Sequence, residues 1–404
     1  MTKYFSPWPD RFPKSRVPSY AKYRGATTAD VVIVGGGLTG VTTAYAFAVS
    51  GIKPVLLEAD RIGRGRSSAG AGIIAAEPGA DFALLEKALG RRAAVRAWES
   101  WRRAALDFQA LLRRLEIRCA LEPRPAVTLA LTPAQAVQIA REQKARRDAG
   151  LDASLMNARR ATAESGTAAA AGIATAGAAT FDPYRAALGL AAAAASRGAQ
   201  IFERTAVRKI TFTRKAADVF TDTGSIRTTR VVVATGAPTA LFRSLARHFW
   251  FERRFFAMTA PVPARIRQTL GPRAAILRDV ASPPHIVRWV DDERLLVSGA
   301  DAGQTRQPIQ ARVLVQRTGQ LMYELSTMFP DMSGIQADYG WEAPYARTAD
   351  GLPYFGAHRN FPFHLFAFGD SSHSATGAYL ASRIFLREHL GEPDPADAVF
   401  GFHR

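Results

Sequence analysis

The sequence predicts an α/β fold in two domains, the first of them cut into several pieces along the chain. Three observations predict it. A β-branched run, Val31 to Val34, passes through a Gly-rich loop into an apolar helix and then a second apolar run, Pro54 to Leu57. Short apolar runs of the same kind return at Arg230 to Ala234 and Phe363 to Phe368; such runs mark strands buried on both faces of a parallel sheet. The segments between them read as charged helices and as strands of a separate sheet.

Gly35, Gly37 and Gly40 form GxGxxG between the first strand and the helix Thr39 to Val49. Gly35 permits the tight turn. Gly37 lets a pyrophosphate approach the backbone at the helix N-terminus, and Gly40 lets helix and strand pack closely. Glu58 ends the second strand, 18 positions beyond Gly40, where an acid accepts hydrogen bonds from a ribose and disfavours a 2′-phosphate. Strand, loop, helix and acid together predict a dinucleotide site; the motif alone leaves NAD and FAD both open.

A second small-residue loop, RIGRGRSSAGAG, follows. Leu84 to Ile117 has apolar residues at helical spacing, with Gly90 as a break. Val127 to Leu131 reads as a strand, and Thr132 to Ala149 as a helix capped by Thr132 before Pro133. Phe181-Asp182-Pro183 opens an Ala-rich helix to Arg197, and Ile201 to Phe220 alternates like strands. Ala257 to Arg265, His285 to Val290 and Arg294 to Ser298 read as a separate sheet, with a turn at Asp291-Asp292. Ile309 to Phe329 and Tyr379 to Leu390 read as helices. The expected division is an extended surface arm over 1–28, a dinucleotide domain over 29–80, 151–248 and 338–391, a substrate domain over 81–150 and 249–337, and a tail over 392–404.

Composition narrows the function class. The net charge of +18 is spread over scattered Arg residues with no compact basic run interleaved with aromatics, which speaks against a nucleic-acid partner. No apolar run reaches the length of a membrane span. The single cysteine, Cys119, excludes an intrachain disulfide and fits a cytoplasmic location. No CxxC, HxxxH or GxSxG pattern points to a metal or a nucleophile elbow.

The ordered set of first loop with Glu58, RIGRGRSSAG, Thr205-Ala206-Val207, VVVATGA, TADGLPYFG and FAFGDSSHSATGAYLASRI resembles the FAD-dependent amine and amino-acid oxidoreductases that include D-amino-acid oxidase, glycine oxidase and sarcosine oxidase. The resemblance implies a Rossmann-like FAD-binding domain and an α+β substrate domain on a mixed sheet over the flavin. It implies non-covalent FAD, with Gly35, Gly37, Leu38, Thr39 and Gly40 on the pyrophosphate and Glu58 on the adenosine ribose, Ala59 and Arg61 nearby. Gly65, Arg66, Ser67, Ser68 and Ala69 would approach the ribityl and ring, Val207 the adenine, and Ala234, Thr235 and Gly236 the dinucleotide. The late loop, with Gly369, Asp370, His373 and Ser374, would offer backbone N–H groups toward the flavin.

The chain also departs from that pattern. Ser371, Ser372 and Ser374 stand where glycine is common, and Tyr345 stands where amino-acid oxidases place a carboxylate-gripping Arg. Tyr cannot replace a guanidinium fork. Tyr345, His373, Arg288 and Arg347 are therefore the substrate-side candidates. No Lys follows Lys215, so the oxygen-activating Lys of the sarcosine oxidases is missing and a dehydrogenase is favoured over an oxidase. The expected reaction is oxidation of a C–N bond in an amine, imino acid or amino acid by hydride transfer to flavin N5, the imine then being hydrolysed. The electron acceptor stays open, and the alternative is a flavin-binding accessory or electron-transfer subunit working with a partner.

Overall fold

A computed structural model describes residues 1–213, 215–303, 310–369 and 374–404, and of Ser374 the backbone only. Five parallel strands lie side by side in the first sheet: Gln200–Phe202, Pro54–Leu57, Gly25–Val34, Gly224–Gly236 and Phe361–Phe368. Their central residues, Val31 to Ile33, Leu56 and Val231 to Val233, are almost wholly buried, as continuous apolar runs require. On its other edge the first half of Gly224–Gly236 pairs with Ala217–Thr221, which forms an antiparallel hairpin with Val207–Phe212. Helices Leu38–Val49, Pro183–Ser196 and Ser374–Leu390 pack together over this sheet.

The second sheet runs Ala337–Arg347, Trp250–Thr259, Arg294–Gly303, Ile286–Val290, Ile276–Asp279, Ala126–Ala130, Ala171–Thr175 and Ser154–Asn157. It is mixed, because Ile276–Asp279 and Ala126–Ala130 pair in parallel while their neighbours are antiparallel. Strand alternation sorts its faces. Phe256, Met258, Ile286 and Leu296 join the core shared with the first domain. Phe255, Ala257, Val287 and Val297 form a second core with Leu321 and Leu325 of the helix Ala311–Met328.

Local signals placed most elements. Gly90, at φ +80°, separates the helices Phe82–Leu89 and Arg91–Arg114. Thr132 and Gln135 cap Pro133–Asp148 reciprocally, and Asp182 caps Pro183–Ser196. The strand expected to reach Arg265 stops at Thr259, since Pro261 and Pro263 cannot donate to a ladder.

Two expectations are corrected. Ser154–Asn157, Ala171–Thr175 and Ala337–Arg347 pair within the second sheet rather than the dinucleotide sheet, so the boundaries near 151 and 338 move. Arg91–Arg114, assigned to the substrate domain, packs on the last helix of the first domain. The N-terminal arm is mostly exposed but pinned in place: Trp8 is 3% exposed within the main core, and Lys3 pairs with the strand Ala337–Arg347, its N–H 2.8 Å from the Asp338 carbonyl.

Candidate functional site

The first strand ends in a turn that only glycine can make. Gly35 sits at φ +110°, and a Cβ there would lie 2.8 Å from the Ala234 carbonyl oxygen. A Cβ on Gly40 would overlap the Gly35 carbonyl oxygen, so the helix Leu38–Val49 starts hard against the strand. Its cap residue, Gly37, has no side chain to accept from the first turn. The Ser67 hydroxyl, from the second loop, accepts from the Leu38 N–H instead, at 2.8 Å. Both Glu58 oxygens are held by backbone: Oε2 accepts from Gly36 N–H at 2.6 Å and Oε1 from Asp60 N–H at 2.8 Å.

These groups border a cleft of about 300 Å³, whose walls include Gly35, Gly37, Leu38, Thr39, Glu58, Ala59, Gly65, Arg66, Ser67, Val207, Ala234, Thr235 and Gly236. Arg66 reaches from the second loop toward the third segment, with Nη1 3.1 Å from the Gly236 carbonyl. The arrangement fits the FAD that the resemblance implies. It combines a helix N-terminus with a cation, both suited to a pyrophosphate. The walls at Gly37 and Gly236 carry no Cβ; one there would meet only the side chains of Ser67 and Arg66.

Other expected cofactor residues do not line the cleft. Gly40 packs beneath the loop, and Arg61 lies outside it. The Ser68 hydroxyl donates to the Gly65 carbonyl at 3.1 Å, and the Ala69 carbonyl accepts from Trp341 Nε1 at 2.9 Å. Gly369, at φ +88°, borders a different cavity. Asp370 and His373 lie outside the described residues, as does the Ser374 side chain; the Ser374 backbone starts the last helix. Thr205, Phe355, Ala367 and Gly377 also line the cleft; all four fall in segments that carry the resemblance, though none was singled out as a cofactor residue.

Beyond Ser67 the cleft adjoins a narrower pocket of about 60 Å³, with Phe181, Phe256, Ile286 and Pro344 among its walls. Arg254, Ile286 and Tyr345 are common to this pocket and to a cavity of about 550 Å³ between the sheets. The Tyr345 hydroxyl stands 2.7 Å from Glu252 Oε2 and 2.6 Å from Asp301 Oδ2. It has one proton to share between two carboxylates. Burial, reinforced by the hydrogen bond to Asp301, pushes the phenol far above its ordinary range. Arg254 grips Asp301 with Nε at 2.9 Å and Nη2 at 2.7 Å. Burial opposes the Arg254 charge, but Asp301 outweighs it and holds the guanidinium above its usual pKa.

The guanidinium beside Tyr345 is Arg254, which was not among the sequence candidates. Trp250–Thr259 pairs antiparallel with Ala337–Arg347, Arg254 opposite Ala343, and this brings Arg254 beside Tyr345. Arg347 lies on the cavity wall but is exposed, 3.4 Å from Glu252. Arg288 lines neither the cavity nor the narrow pocket. It is 4% exposed, lies over the Trp8 ring and donates to the Phe181 carbonyl at 3.3 Å. Complete burial lowers its pKa to about 10. Among the described residues no helix is long and apolar enough to cross a membrane, and no cluster of metal-binding side chains occurs.

Residues 30–387 match the family model described as FAD dependent oxidoreductase. The chain is 26% identical over 379 residues to the gamma-glutamylputrescine oxidoreductase of Escherichia coli, covering 92% of this chain and 86% of that one. It is 23% identical over 394 residues to a glycine oxidase of Bacillus licheniformis, covering 92% and 96%. The crystal structure of glycine oxidase from Geobacillus kaustophilus superposes with a TM-score of 0.76 at 22% identity, over 93% of this chain and 98% of that one.

Proposed function

The chain belongs to the FAD dependent oxidoreductase family, and from that premise we propose that it oxidises the C–N bond of an amine, imino acid or amino acid held in the cavity between the sheets. The observation that carries this reading is the succession of cleft, narrow pocket and cavity, with Arg254 and Tyr345 as walls common to the last two.

In this reading Gly35, Gly37, Leu38 and Thr39 hold the pyrophosphate with Arg66, Glu58 holds the adenosine ribose, and Ser67 and the loop after it border the ring. When bound, FAD supplies the acceptor for the electron pair removed with the α-hydrogen, and water hydrolyses the resulting imine. The chain's own groups do the rest. Phe181, Phe256 and Ile286 keep the narrow pocket apolar, which strengthens every polar contact made there. Arg254 faces a substrate carboxylate where there is one, while Glu252 and Asp301 accept N–H donors of the amine. Tyr345, whose phenol keeps its proton, donates and orients. The strand segment Leu295 to Val297 is buried and apolar and no Lys follows Lys215, so we place electron exit at an acceptor other than oxygen.

The test is anaerobic titration of the yellow, flavin-loaded protein with a panel of amines, imino acids and amino acids. At least one should bleach the flavin bands, and air should restore them slowly. A loaded protein that no member of the panel reduces sinks the reading; rapid reoxidation in air removes the dehydrogenase part alone.

A further inference from the structure

Three successive carbonyl groups in the second loop, those of Ser68, Ala69 and Gly70, each accept a hydrogen bond from a side chain far away in sequence. The donors are the Ser6 hydroxyl, Trp341 Nε1 at 2.9 Å and Trp8 Nε1 at 2.9 Å. A planar trans peptide points its N–H opposite to its carbonyl. Anchoring carbonyls 68 to 70 therefore also fixes the direction of the N–H groups of Ala69, Gly70 and Ala71. Gly70 and Ala71 line the narrow pocket next to the cleft, and among the described residues the Ala71 N–H group has no hydrogen-bond partner. Ala71 is buried, and a buried N–H left without an acceptor is costly.

Two of the three anchors come from the N-terminal arm, which is itself tied down. Lys3 donates its N–H to Asp338 and accepts from Gly340 N–H at 2.9 Å, and the Thr2 hydroxyl donates to the Ala337 carbonyl at 2.8 Å. Asp10 accepts from Lys3 Nζ at 2.7 Å and from the Tyr339 hydroxyl at 2.8 Å. The Trp8 ring is buried with the Arg288 guanidinium 5.2 Å from its centre. The arm is thus fastened to the second sheet at residues 2 and 3 and to the loop at 6 and 8.

We propose that residues 1–10 are a clamp that positions the second loop for the cofactor: Trp8 holds the Gly70 carbonyl outward so that the Ala71 N–H group is presented to a hydrogen-bond acceptor of the bound FAD, and Ser6 fixes the Ser68 carbonyl at the start of the same stretch. This rests on the reading that FAD occupies the cleft and the narrow pocket. The Ser6→Ala/Trp8→Phe double variant removes both donors and keeps the buried ring. One lost hydrogen bond of ordinary strength is about a fivefold effect, so the FAD dissociation constant should rise about fivefold, and the flavin absorption bands should shift. Ser6→Thr, which keeps the hydroxyl, should bind FAD like the parent. The flavin-free double variant should retain its far-UV spectrum and cooperative unfolding. Parent-like FAD affinity and bands in the double variant overturn the clamp. Should the double variant not fold, Trp8→Phe alone decides by the same two readouts. A parent chain that binds no FAD overturns the underlying site reading, and the clamp with it.

Discussion

His285 is the group whose contribution to stability can be worked out most directly. It stands between two carboxylates, Nδ1 2.6 Å from Asp279 Oδ2 and Nε2 3.0 Å from Glu324 Oε2. It thereby joins the strand pair at 276–290 to the helix Ala311–Met328, and Asp279 also accepts from the N–H groups of His285 and Ala281. The hydrogen bond to Asp279, opposed by burial and aided by the charges of both acids, raises the imidazole pKa from 6.5 to about 9. A tenfold change in proton affinity is about 1.4 kcal/mol, so the folded state gains about 3 kcal/mol from the protonated ring. The gain is complete below pH 6.5, where the unfolded chain also carries the proton. It declines as pH rises above 6.5 and is gone once pH passes about 9. His285→Gln should therefore destabilise the protein by about 3 kcal/mol at pH 6 and by little at pH 10, read from urea unfolding at both values. Equal losses at the two pH values would refute the reasoning. Residues 280–284 line the large cavity, so KM for any substrate should rise in the same variant as the wall loosens.

The remaining predictions concern the cleft, the cavity and the thiol. Gly40→Ala sets a Cβ against the Gly35 carbonyl; overpacking of this kind costs about 1–3 kcal/mol, visible as a lower unfolding midpoint with FAD absent, and an unchanged midpoint counts against the close approach. Tyr345→Phe removes the one proton offered to Glu252 and Asp301. Hydrogen bonds to charged groups are worth about 1.5–3 kcal/mol, so kcat/KM should fall at least about tenfold with FAD content unchanged. An unaltered rate of flavin reduction would remove Tyr345 from the substrate side. Cys119 is fully buried, and burial with Asp182 nearby pushes its thiol to about 12. It should react with an aromatic disulfide reagent only on unfolding, which a thiol titration with and without denaturant measures.

Most of the dinucleotide half was legible because its rules are local. GxGxxG constrains backbone within six residues, and a buried parallel strand announces itself by a continuous apolar run. The same local signals placed Gly90, Thr132 and Asp182 at helix ends. Weakly apolar strands escaped notice: Ser154–Asn157 and Ala171–Thr175 carry small or polar residues, and only pairing with Ala126–Ala130 makes a sheet of them.

The cavity lining was least legible, since its residues lie far apart in the chain. Tyr345 was singled out as the residue standing in place of Arg, but Glu252, Arg254 and Asp301 were not, each being one charged residue among many. Arg288 looked equally eligible from sequence; it shares a strand face with Ile286, but two positions further along it lies over Trp8 and lines neither the cavity nor the narrow pocket.

By itself the sequence determined the strand, glycine turn and helix that border the cleft and the acid at the second strand, because these depend on backbone freedom and spacing within about thirty residues. Tertiary structure alone decided that a guanidinium from one strand and a phenol from the next would meet at the cavity, and that the N-terminal arm would fasten the second loop. Both are products of strand register and chain crossing. Those depend on which surfaces bury each other, and no local stretch of sequence carries that information.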